Sequence, residues 1–124
     1  MNKLFLVAIG GLLGTLCRYA LSTWVDARSR SSFPYGTLAV NLLGCFIAGF
    51  LFPLLEQAAV APELRLAVFA GFLGGFTTFS AYGLQTFALA NDGLLSMAAL
   101  NVLVSNATGL GMVWVGSSLS RSLT

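Results

Sequence analysis

The chain has 124 residues, of which 57% are hydrophobic and 8% charged, with six Lys/Arg against four Asp/Glu, a net charge of +2 and no histidine. That balance cannot cover a soluble domain with polar surface and places the chain in a bilayer. It also excludes imidazole chemistry, and no paired carboxylates, zinc spacing, phosphate loop or nucleophile elbow is present, so no enzymatic activity is expected.

Four apolar runs account for nearly the whole chain, 4–25, 35–55, 64–90 and 94–119, and each meets the roughly 20 residues a helix needs to cross hydrocarbon. The expected fold is an all-α membrane protein of four transmembrane helices, one domain over residues 1–124. The first run is too long for a signal core of about 7–15 residues and is expected to stay as helix one. It carries Arg18, about 22 Å along the helix from Lys3 and so within the hydrocarbon span. Such an arginine either snorkels to the far interface or faces a wet vestibule that attracts anions. Cys17 and Cys45 sit inside apolar runs and are read as structural thiols.

The first connection, "DARSRSSFP" (26–34), ends in a proline that can start the second helix. There Thr37 and Asn41 stand four residues apart on one face, and the asparagine amide offers two donors deep in the membrane. The second connection, "EQAAVAPE" (56–63), carries another proline, and the third, "ND" (91–92), is a tight turn closed by Gly93. Loops this short leave no extramembrane domain, and function must sit between the helices.

The third run contains "GFLGGFTTFS" (71–80), glycines followed by hydroxyl side chains. In hydrocarbon this predicts a broken helix, and irregular backbone at that depth needs protein, water or an ion to take up the freed carbonyls. Just after the break, Phe79, Tyr82 and Thr86 share a face; aromatic ring edges carry partial positive charge and can face an anion. The fourth run places Asn101, Ser105 and Thr108 on one stripe. Polar stripes either glue helices together or line a path, and neutral donors bind an anion without trapping it. The spacings in "GGLLG" (10–14) and "GFLGG" (71–75) let helices approach closely, either between subunits or within one.

Lys3, Arg65 and Arg121 fall on one side of a four-helix model, and Arg28 and Arg30, with Arg18 leaning toward them, on the other. Three against three gives no orientation bias, which would let copies insert both ways and pair as an antiparallel dimer.

Three motifs in order, "GGLLGTLCRY" (10–19), "PYGTLAVNLLGCFIAG" (34–49) and "GFLGGFTTFS" (71–80), resemble the small fluoride channels of the Fluc (CrcB-type) family over the whole chain. The resemblance implies an antiparallel, dual-topology homodimer in the bacterial inner membrane that passes fluoride passively through two pores, with no nucleic-acid partner. It implies Asn41, Phe79, Tyr82 and Ser105 as pore-lining residues, a set to which Thr37 and Ser80 are added as neighbouring hydroxyls. Arg18 becomes the vestibule arginine. Gly74 and Thr77 would give main-chain carbonyls to a structural sodium ion (Na+) at the dimer centre. Tyr82 stands where phenylalanine is usual, Gln85 where glutamate is frequent and Asn101 where tyrosine is common; the Tyr82 hydroxyl either adds a donor or obstructs the pore. The competing readings are a small four-helix drug exporter, which needs a membrane-embedded carboxylate that no run supplies, and a purely structural membrane subunit.

Overall fold

The computed structural model describes residues 2–124, and these are helical throughout apart from short connections. Helix α1 spans Lys3–Asp26 and α2 spans Tyr35–Gln57; α3 (Pro62–Leu66) runs into a π-helical stretch, Ala67–Leu73, and a single turn, α4 (Gly74–Phe76). Helix α5 covers Phe79–Asn91 and α6 covers Leu95–Leu123. Four stretches are long and apolar enough to cross a membrane: Lys3–Asp26, Tyr35–Gln57, Pro62–Asn91 and Leu95–Leu123. Within a few residues these are the four runs expected from the sequence. The third begins earlier than the apolar run because Pro62, whose missing N–H costs nothing in a first turn, opens the helix.

The ends of the spans have local causes. Asn2 caps α1, its side-chain oxygen accepting from the Leu4 N–H at 3.0 Å. Helix α2 follows Pro34, which offers no capping side chain, and Asp26 at the end of α1 takes the role: Oδ1 accepts from the Gly36 N–H at 2.8 Å. The last carbonyls of α5 are taken up by Gly93, at φ +80°, whose N–H reaches Ala90 O while that of Leu94 reaches Leu89 O. Lys3 Nζ and Glu63 Oε1 lie 3.9 Å apart, so the start of α1 and the start of α3 share one membrane face.

Packing divides into two pairs. Helix α2 lies chiefly on α6, and α1 on the π-helical stretch and α4. Both contacts are made backbone to backbone at glycines. A Cβ on Gly49 would overlap the Val113 carbonyl oxygen, and one on Gly116 that of Phe46. Between α1 and the third span the two glycine spacings meet each other: a Cβ on Gly71 would stand 2.9 Å from Val7 O, and one on Gly75 2.6 Å from Gly11 O. The small-residue spacing therefore serves packing within one subunit, the second of the two alternatives it left open.

With glycines at the crossings, few large side chains are enclosed. Val40, Leu73, Phe76 and Leu89 are buried, whereas Leu4, Phe79, Leu110 and Trp114 are each more than 70% exposed. Such a surface suits contact with acyl chains, where burial in protein brings no hydrophobic gain.

Candidate functional site

Helical geometry stops in the middle of the third span. Thr77 (φ −89°, ψ 158°) and Thr78 (φ −149°, ψ 116°) are extended, and α5 starts at Phe79 with the Thr78 hydroxyl accepting from the Ala81 N–H at 3.2 Å. Two extended residues at hydrocarbon depth leave polar groups that need partners. Asn41 of α2 supplies them from both ends of its amide. Its Oδ1 accepts from the Thr78 N–H at 2.8 Å, and its Nδ2 donates to the Thr78 carbonyl at 3.0 Å. The Thr77 hydroxyl turns back to Leu73 O at 2.9 Å. Gly44, about one turn beyond Asn41, makes room for this, since a Cβ there would overlap Thr77 Cγ2.

Arg18 joins the same place from α1. Its Nε donates to Gly75 O at 2.9 Å, so the guanidinium is half-buried against a carbonyl next to the interruption. It is outside the groove described next.

Beside the interruption lies a groove of about 280 Å³ lined by Asn41, Cys45, Thr77, Thr78, Phe79, Tyr82, Ser105, Asn106, Gly109 and Leu110. Of the residues picked from the sequence as pore-lining, it brings together Asn41, Phe79, Tyr82 and Ser105. Thr37 is buried outside it, and Ser80 is exposed with its hydroxyl 3.4 Å from that of Thr78. The rings of Phe79 and Tyr82 are 5.3 Å apart and tilted by 51°. Among the described residues no Asp, Glu, Lys or Arg lines the groove; its polar character is amide, hydroxyl and main chain.

The stripe on α6 divides in function. Asn101 is 1% exposed and is the hub of a relay: Nδ2 donates to the Thr86 hydroxyl at 2.9 Å, and Oδ1 accepts from Ser105 at 3.1 Å. It ties α6 to α5 and does not reach the groove, while Ser105 does. Thr108 is exposed and donates to its own helix at Val104 O. Asn106 was not singled out from the sequence, yet it lines the groove and donates to the Tyr82 hydroxyl at 3.1 Å. The signal for it was a second polar residue directly after Ser105 in an apolar run.

Gln85 lies elsewhere, in a cleft of about 300 Å³ with Asp26, Ser29 and Asp92, and its Oε1 is buried without a partner among the described residues.

A family model described as CrcB-like protein, Camphor Resistance (CrcB), matches residues 5–117. Among curated relatives, a protein of Citrifermentans bemidjiense named fluoride-specific ion channel FluC is 48% identical over 124 residues, 99% of this chain and 100% of the relative. Relatives of the same name from Geobacter sp. strain M21, 48% identical over 99% of this chain and 100% of the relative, and from Geotalea daltonii, 43% identical over 98% of each, align as fully. Full-length similarity at this level places the chain in the CrcB-like family.

Proposed function

We propose that this chain is a passive fluoride channel, working as an antiparallel pair of copies in the cell membrane. The observation that carries the reading is the groove at Thr77–Thr78, whose donors are all neutral. Fluoride is small and strongly hydrated, so a path must replace its water with short, well-placed donors, and neutral donors do this without holding the ion. The relatives named as fluoride-specific channels support the choice of ion.

A second copy is supported by the outward polar residues of α6. Asn106 and Thr108 are exposed near the middle of a span that must lie in hydrocarbon, and another protein surface is a better neighbour for an amide than acyl chains. The even division of Lys and Arg between the two faces favours insertion both ways. Single cysteines placed near Arg30 on a Cys17/Cys45-free background should then be labelled from outside the cell in about half the molecules. Labelling near zero or near completion would exclude it.

The break offers main-chain oxygens for a structural cation. In an unbroken helix Gly74 O would accept from the Thr78 N–H and Thr77 O from the Ala81 N–H, but Asn41 Oδ1 and the Thr78 hydroxyl have taken those donors. Two carbonyls without ladder partners, with no carboxylate near, suit a hard monovalent ion such as sodium, and a twofold axis would double the set. Gly74 and Thr77 would hold it, and bound there it would supply fixed positive charge between the copies.

Fluoride efflux from liposomes holding the purified protein tests the reading. Fluoride should leave at least about a hundredfold faster than chloride, as expected where a larger halide fits short donors poorly. Replacing sodium with a bulky organic cation should lower the flux or weaken the dimer without any sodium current. Equal chloride flux would remove the channel assignment, and indifference of both flux and dimer to sodium would remove the ion. The acids Asp26, Glu56, Glu63 and Asp92 all stand at helix ends or connections, which leaves a proton-coupled exporter without its embedded carboxylate.

A further inference from the structure

We infer that the phenol of Tyr82, oriented by Asn106, is a second anion-binding donor of the groove, acting beside the Asn41 amide. The inference rests on the fluoride-channel reading and names a site within it.

The argument is a count of protons. Asn106 Nδ2 carries two, and both are spent, one on Val102 O at 2.8 Å and one on the Tyr82 hydroxyl oxygen at 3.1 Å. The phenol oxygen is therefore an acceptor toward α6, and its own proton makes no bond among the described residues. A hydroxyl that accepts a hydrogen bond becomes a stronger donor, because each bond of a chain polarises the next. Most other protons in the groove are committed. Ser105 donates to Asn101 Oδ1 at 3.1 Å, Thr77 to Leu73 O at 2.9 Å, and Asn41 gives one of its two amide protons to Thr78 O. Among the side chains of the groove, what remains for an ion is the second Asn41 proton, the Tyr82 phenol, the hydroxyl that Thr78 and Ser80 share and the weakly donating Cys45 thiol.

Position supports the role as well as the count. Tyr82 and Asn41 both line the groove, from α5 and α2 respectively, and the Tyr82 ring is braced against Phe79 at 5.3 Å. The phenol proton stands at an open groove, where a small, hard anion can accept it. Of the two alternatives for Tyr82, donor or obstruction, this arrangement favours the donor.

The test compares the wild type with Tyr82→Phe, Asn106→Leu and the double variant, by fluoride efflux from liposomes at low and at saturating fluoride. Tyr82→Phe keeps the ring and loses the proton, and should lower the rate at low fluoride by about three- to tenfold, the size of one net hydrogen bond. The loss should shrink at saturating fluoride, since the donor contributes to occupancy. Asn106→Leu should give a smaller loss in the same direction, and the double variant should match Tyr82→Phe, because Asn106 acts through the phenol. Tyr82→Phe at or above the wild-type rate would overturn the inference, as would an Asn106→Leu loss of equal size in both backgrounds. A wild type that moves fluoride while Tyr82→Phe is unaffected sinks this inference alone; a wild type that moves none sinks the channel reading and the inference together.

Discussion

Asn41→Asp should reduce fluoride efflux by at least about tenfold in a protein that still elutes as a folded species, because a hydrogen bond to a charged group contributes roughly 1.5–3 kcal/mol. The reason is the reciprocal bond to Thr78, in which one amide both accepts at 2.8 Å and donates at 3.0 Å. An ionised aspartate keeps the acceptor, turns its second oxygen on the Thr78 carbonyl and brings negative charge into an anion's path. A protonated aspartate can restore both bonds to Thr78, but it has no further proton and loses the one the amide keeps for the groove. Both protonation states therefore remove a donor that the proposed path would use. Asn41→Leu should be worse, since it leaves the Thr78 N–H and carbonyl without partners at about 1–3 kcal/mol each and so loosens the interruption itself. Flux within twofold of the wild type for Asn41→Asp would separate the clamp from the path.

Much of this arrangement could be read from the sequence, and the boundary of what could be read has a physical cause. The four spans were legible because membrane-crossing segments need only local signals: apolar length, flanking charge, and helix ends marked by Pro62 and Gly93. The interruption was legible because glycines and threonines at hydrocarbon depth have few other uses. What the sequence did not contain was the partner of each polar group. Asn41 reaches a residue 37 positions away, and Arg18 a carbonyl 57 positions away. For Arg18 the position along α1 was legible, but its azimuth against the third span, and so its bond to Gly75 O, was not.

The α6 stripe shows the same limit in another form. Asn101, Ser105 and Thr108 share one face by spacing, yet Asn101 is enclosed, Ser105 half-enclosed and Thr108 exposed. Near the turn at Asp92 and Gly93, α5 and α6 are held together and cover Asn101. Toward Thr78 the helix α5 ends, the cover stops, and the same stripe opens into the groove. Helical periodicity gives the face on which a residue stands but not where the neighbouring helix leaves it.

Gly14→Ala should be among the most damaging single methyls added to the chain, and Gly11→Ala, three residues before it, should be tolerated. A Cβ on Gly14 would overlap the Phe72 carbonyl oxygen and stand 2.9 Å from the carbon of that carbonyl and 3.0 Å from the Phe76 N. All three atoms are backbone, so no rotamer change can make room and α1 must lift away from the third span. Overpacking of this kind costs about 1–3 kcal/mol where side chains can yield, and more should be lost where they cannot. The displacement also acts at a distance of one turn. Arg18 stands four residues after Gly14 on the same face, and its Nε would leave Gly75 O, stranding a guanidinium in hydrocarbon and freeing a carbonyl beside Thr77–Thr78. Gly11 differs because the nearest atom to an added Cβ is 3.8 Å away, an ordinary contact, and alanine gains about 1 kcal/mol of helix propensity over glycine. The fraction of monodisperse protein surviving a heat step in detergent, followed by efflux from liposomes, should therefore fall sharply for Gly14→Ala and stay at or above wild type for Gly11→Ala. Equal survival of the two variants would mean that α1 can slide over the third span, and that neither the glycine crossing nor Arg18 fixes the geometry of the groove.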